Sequence, residues 1–165
     1  MAFDAFLKIG TICGESSDQN HSQWIEILSF SCGVTQTATG SASSGGARTA
    51  ERCNLQDFSV VKALDDSSPL LFKSCAAGEH ISEVKLEICR ATGDKAKYME
   101  YKMADVVITS VRPGGAAQGG ETLPLEEVSF NFGKITLTYS ETDHQTGKSK
   151  GDKIQWVDQV KNEAG

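Results

Sequence analysis

A chain of 165 residues, 39% of them hydrophobic, is long enough for one domain with a real apolar core. Its 22 acidic and 16 basic residues leave a formal charge of -6, which argues against a nucleic-acid partner and favours solubility at high concentration. No apolar run is long enough to insert in a membrane, and the first residues lack the charged and apolar regions of a secretory signal peptide.

Residues 3–10 (F-D-A-F-L-K-I-G) alternate as a strand and lead into the polar loop G-E-S-S-D-Q-N-H, residues 14–21. A second strand follows over residues 24–33. One face carries Trp24, Glu26, Leu28, Phe30 and Cys32, and the other carries Ile25, Ile27, Ser29, Ser31 and Gly33. From Leu28 onward this pattern predicts a core face backed by a thin polar face, with Cys32 buried. Residues 35–52 are small and polar and separate two strands of one domain. Eighteen residues without an intrachain task are unusual in a compact fold, so an extended arm that orders against a neighbour is expected. Arg48, Glu51 and Arg52 supply charge near its end.

A third strand opens with C-N-L-Q-D-F, residues 53–58, and one helix follows. Ser68 is placed to cap it, Pro69 suits its first turn and Gly78 its exit. Leu71 and Cys75 form one stripe, and Phe72 and Ala76 another. Val84, Leu86 and Ile88 alternate with Lys85, Glu87 and Cys89 as a half-buried strand. The inward parity flips near Ala104 and Asp105 and again at Gly133, which predicts two bends. Residues 112–120 read as a glycine-rich hairpin connection, and residues 154–157 as a last short strand. Together these elements describe a mainly β, small barrel-like domain of two packed antiparallel sheets, with one flanking helix and a long extended loop.

Motifs for chemistry are weak. Thr146–Ser149 reads T-G-K-S, but a phosphate loop needs a glycine where Thr142 stands. Ser82 and Lys85 fit S-x-x-K on a strand, where they point to opposite faces. Cys75 and His80 match no zinc spacing, and His144 lies in a charged turn. Glu15, Asp18 and His21 could do acid–base work, yet no nucleophile, oxyanion hole or cofactor motif accompanies them, and local turn bonding accounts for them. No catalytic, cofactor or metal site is expected. Five cysteines, odd in number and unpaired by motif, suit a reducing compartment.

The ordered set Lys8, Gly14, Glu15, Ser16, Asp18, His21, Leu28, Ser31, Gly33, Gln36 and N-L-Q-D (residues 54–57) resembles the haemolysin-coregulated protein (Hcp) family. The likeness continues through S-P-L-L-F-K-S-C-A-A-G-E-H (68–80), V-K-L-E-I-C-R-A (84–91), V-V-I-T-S-V (106–111) and V-S-F-N-F (128–132). The resemblance implies the tube subunit of bacterial type VI secretion. Such a subunit forms homohexameric rings that stack, meets spike and sheath components, and carries effector proteins in its lumen. It also implies assembly in the cytoplasm and export without a signal peptide. Ser29 and Ser31 would line the pore. Thr37, Thr39, Gly40, Ser41, Ser43, Ser44, Gly45, Gly46, Arg48, Glu51 and Arg52 would form subunit and ring-stacking contacts. Other classes remain open at this stage: a monomeric barrel binding a small ligand, or a hydrolase using Glu15, Asp18 and His21.

Overall fold

Period-two alternation becomes strands throughout the computed structural model, which describes residues 2–39, 49–50, 52–91, 95–118, 123–143, 145–146 and 149–165. In chain order these are β1 (Phe3–Ile9), β2 (Ile25–Ile27), β3 (Ser29–Ser31), β4 (Val34–Thr35), β5 (Ala38–Thr39), β6 (Thr49–Ala50), β7 (Asn54–Leu55) and β8 (Phe58–Ala63). Helix α1 (Ser68–Ala77) follows, then β9 (His80–Arg90), β10 (Lys97–Gly114), β11 (Leu125–Thr142), β12 (Ser149–Asp158) and β13 (Glu163–Ala164). The strand expected over residues 154–157 is thus the longer β12, with the short β13 after it, and residues 112–114 of the expected connection extend β10 instead.

All the ladders are antiparallel. The main sheet runs β13-β12-β11-β10-β9-β1-β2. Strand β11 is 18 residues long and changes neighbour along one edge: Leu125–Phe130 pair with β8, and Lys134–Thr142 pair with β12. β8 in turn pairs with β3. Residues 25–31 therefore leave β1 and join β8 at Leu28, whose amide donates to the Val61 carbonyl at 2.8 Å. Strands that switch partners make the corners between two packed layers, and the sheets are not closed into a barrel.

Both expected bends fall at one joint. The β10–β11 ladder passes from Ala104↔Lys134 to Val106↔Phe132, leaving Asp105 and Gly133 unpaired across from each other. Asp105 takes the left-handed region at φ 57°. Gly133 is demanded by close approach: a Cβ there would meet the Asp105 carboxylate at 3.0 Å and Val160 at 3.1 Å. Phe58, Val60, Leu7, Ile9, Leu86, Met103, Phe130 and Val128 fill the space between the layers.

The helix differs from expectation at its start. Ser67, not Ser68, is the N-cap residue, and its side chain makes no cap bond. Ser68 is instead drawn into a buried polar bolt. Lys62 and Glu126 stand in register on β8 and β11, on the core face, and are essentially fully buried. Lys62 Nζ donates to Glu126 Oε2 at 2.7 Å and to Ser68 Oγ at 3.1 Å, and lies 3.0 Å from Asp65 Oδ1. Ser68 Oγ donates to Glu126 Oε2 at 2.7 Å. The bolt ties the start of α1 to the sheet. Gly78 ends the helix at φ 63°, as expected. Leu71 is buried and Cys75 half-buried, whereas Phe72 stays 59% exposed.

Residues 34–39 form one leg of an arm, and residues 49–50 and 52–55 the other, joined by the β4–β7 and β5–β6 ladders. Gly40, Ser41, Ser43, Ser44, Gly45, Gly46, Arg48 and Glu51 lie outside the described residues, as do His144, Gly147 and Lys148.

Replacing Glu126 by Leu leaves the buried Lys62 ammonium with Asp65 as its remaining carboxylate partner, so equilibrium urea unfolding should lose about 2–3 kcal/mol. The double change Lys62→Met with Glu126→Leu should recover most of that loss. Equal losses in the two proteins would show that the pair itself stabilises the fold.

Candidate functional site: an open polar sheet face

The outer face of β3, β8, β11 and β10 is a wall of small polar side chains. Register carries one row across all four strands: Ser31↔Ser59↔Ser129↔Ser110. Ser59 and Ser129 hydroxyls bond at 2.9 Å. The next row is Ser29↔Val61↔Glu127↔Arg112. Beyond the serine row, the Asp57 carboxylate accepts from Thr109 Oγ1 at 2.8 Å and from Asn131 Nδ2 at 3.1 Å. Thr109 can reach it because the ladder shifts register between Ile108 and Ser110. Ser29 and Ser31 are exposed on this wall, and Phe30 turns inward, half-buried, stacking on Phe58 at 6.1 Å. The sequence reading named Ser29 and Ser31 but missed Ser59, Ser110 and Ser129. Ser59 and Ser129 alternate with core residues, which was the available signal, whereas Ser110 follows a register shift, and only the pairing aligns all three.

Two expectations for this strand are corrected. Leu28 is 59% exposed, because the backbone changes partner there and the inward parity resets; Ile25 and Ile27 hold the core before it. Cys32 is exposed too, since it lies past the end of β3. Protein around its thiol still pushes the pKa up by desolvation.

The arm residues separate into two groups. Thr37 is exposed. Thr39 lies in β5. Arg52 turns back onto its own chain, donating to the carbonyls of Gln159 and Val160, the latter at 3.3 Å.

The loop group resolves into a structural clasp. His21 is buried, with Nδ1 at 2.9 Å from Asp18 Oδ2 and Nε2 at 2.5 Å from Glu87 Oε2. Phe6 stacks on the ring at 4.2 Å, and Trp24 meets it edge-on. Glu15 is exposed and is not among these partners. Ser16 and Asp18 side chains accept from local amides, as a turn network does. Cys89 Sγ lies 4.0 Å from His21 Nε2, which completes a thiol–imidazole–carboxylate series. Its chemistry runs the wrong way for a nucleophile. Burial, then the Glu87 and Asp18 charges, push the thiol up to about 11, and Glu87 already occupies Nε2. Of the Cys75 and His80 pair, His80 instead faces Asp105.

A two-layer antiparallel domain with one flanking helix, an outlying two-legged arm and a bare polar sheet face defines a class of β-rich type VI secretion proteins. The family model described as "Type VI secretion system effector, Hcp" matches residues 6–139, and the chain belongs to that family. It is 37% identical over 152 residues to protein hcp1 of Pseudomonas aeruginosa, covering 92% of this chain and 91% of that protein. The solved structure of Hcp1 from Salmonella typhimurium superposes with a TM-score of 0.81 at 31% identity, over all of both chains. Another, described as a type six secretion system protein, gives a TM-score of 0.92 at 29% identity, over 99% of this chain and 100% of that one.

Thiol labelling should follow exposure. Cys13 should react first, Cys32 and Cys53 more slowly, and Cys89 only as the protein unfolds; early labelling of Cys89 by mass spectrometry would contradict its placement. The bond from His21 holds the Asp18 carboxyl below its ordinary value of 3.8. A depressed carboxylate stabilises the fold above its unfolded pKa, and that contribution is lost as pH falls below it. Asp18→Asn should therefore flatten the acid limb of the melting-temperature profile below about pH 4.

Proposed function

We propose that this chain is the structural subunit of a type VI secretion inner tube, assembling as hexameric rings that stack and hold effector proteins in the lumen. The observation that carries the reading is the uncovered wall of β3, β8, β11 and β10. A domain this size normally packs a sheet face or decorates it with charge. Here the middle of the face is hydroxyls, which leave a thin, hydrated surface suited to transient cargo. In the proposed ring this wall lines the pore, with Ser29 and Ser31 at one side and Ser59, Ser110 and Ser129 extending it. Membership of the Hcp family supports the same reading. Spike and sheath components are the further partners it implies, with assembly in the cytoplasm before export without a signal peptide. The role is structural, not enzymatic.

The arm supports stacking. Its legs are tied to each other by the β4–β7 and β5–β6 ladders, and its low-bulk tip (Gly40, Ser41, Ser43, Ser44, Gly45, Gly46, with Arg48 and Glu51) is placed by this reading against a neighbouring subunit. Thr37 and Thr39 stand at its base. Arg52 acts within its own chain, fixing the arm's exit.

Electron microscopy and native mass measurement of the purified protein test the proposal: rings and end-on stacks are expected, and a monomer at every concentration would sink it. Within the rings, Ser31→Gln should leave folding and assembly intact and reduce effector retention. Phe30→Gln should damage the fold, because it sets an amide against Phe58 and Tyr101. Replacing residues 37–50 by a short Gly-Ser turn should spare the domain and weaken stacks.

A further inference from the structure

The hydroxyl wall carries one charge that has no counter-charge among the described residues. Glu127 and Arg112 stand directly opposite each other on β11 and β10. At the β9 side His80, opposite Val107, bonds the Asp105 carboxylate. Asp57 is exposed, and among the described residues it has no ion-pair partner. Arg52, earlier on the same segment, is spent on the Gln159 and Val160 carbonyls.

Asp57 is nonetheless held in place. Thr109 Oγ1 donates to its Oδ2 at 2.8 Å, and Asn131 Nδ2 donates to its Oδ1 at 3.1 Å. The amide of Gln56, just before it, donates to the Gly33 carbonyl at 2.9 Å. Each carboxylate oxygen thus takes one bond from a neutral group and keeps a lone pair for another donor. An acceptor fixed in advance loses little freedom on binding. Asp57 also lies beside Ser31. Ser31 stands opposite Ser59, and Asp57 is two residues before Ser59 on the same face, which makes it a diagonal neighbour about 7–8 Å away. A long side chain that touches Ser31 therefore reaches Asp57. Hydroxyls both donate and accept, so they take either charge, whereas a carboxylate only accepts and favours a cation.

We propose that Asp57 is a selectivity residue of the wall: it receives a lysine or arginine side chain of the carried protein, so that cargo presenting a basic contact is held in preference to cargo presenting an acidic one. The inference rests on the pore reading above and adds the chemistry of the partner. In a ring the carboxylate recurs in every subunit, so one basic side chain has several equivalent seats.

The probes are a peptide of repeated Gly-Ser-Lys and its counterparts with Gln or Glu in place of Lys. Their binding to the full chain is read by fluorescence anisotropy, with rings checked by electron microscopy and folding by circular dichroism. Asp66→Asn is the control, because it removes the same charge from the exposed turn before α1. The parent and this control should bind the Lys peptide alike and more tightly than the Gln or Glu peptide. Asp57→Asn should weaken the Lys peptide about two- to fivefold and leave the Gln peptide unchanged. Thr109→Lys gives Asp57 a cation of its own and should have the same effect with the carboxylate still present. Zero-length carbodiimide coupling on the parent should join a peptide lysine to Asp57, mapped by mass spectrometry, and this reads the contact even if the Asn variant fails to fold. If Asp66→Asn weakens the Lys peptide as much as Asp57→Asn does, or coupling maps only to other carboxylates, the attraction is the general negative charge of the chain and the inference is wrong while the tube reading stands. If the parent forms no rings, the tube reading falls and this inference falls with it.

Discussion

Strands β10 and β11 serve two layers at once, and they can do so only because Asp105 and Gly133 drop out of the ladder opposite each other. A continuous period-two strand keeps the same residues on the same face from end to end. Without a break, Met103 and Val106 could not both be buried, nor could Phe132 and Ile135. The joint resets the parity, so each half of β11 offers its large side chains to the same core while it hands its edge from β8 to β12. The polar wall depends on this too, since it occupies the half of β11 that pairs with β8.

Around that frame, the buried charged groups are engaged by partners, while the buried Ser74 hydroxyl on α1 has none among the described residues. Lys62, Glu126 and Ser68 satisfy one another beneath the helix, and His21 gives both ring nitrogens to carboxylates under the loop at residues 14–24. Such groups contribute less to net stability than apolar side chains of the same volume would, but each is costly to leave half-made. They fix where the helix and the loop sit rather than how tightly the core holds.

Much of this was legible in the residues. Alternation placed β1, β9 and β11, the parity flips marked the joint, and Gly78 marked the helix exit. The inward parity of Lys62 and Glu126, continuing Phe58–Val60 and Val128–Phe130, was also present and went unread, because a charged residue at a core position looks like the end of a strand. What alternation cannot carry is pairing. Leu28 appeared inward because nothing local reveals a strand changing partner. Glu87 lies 66 residues from His21, so the clasp was visible only as an isolated loop group. The serine row joins four strands whose relative register no single segment encodes.

The bolt beneath the helix bears on the order in which the chain can acquire its shape. Lys62 and Glu126 are separated by 64 residues, and between them lie α1, β9 and β10. Closing so long a loop is entropically slow, and a ten-residue helix has little stability alone. The ammonium can meet Asp65 locally, but Glu126, which also takes the Ser68 hydroxyl at the start of α1, arrives only when β8 has found β11, so α1 locks late, after the sheet that receives it. The newly made chain is then, for a time, a paired sheet with one end of its core unsealed by the helix. In that interval it is most exposed to contact with its own kind.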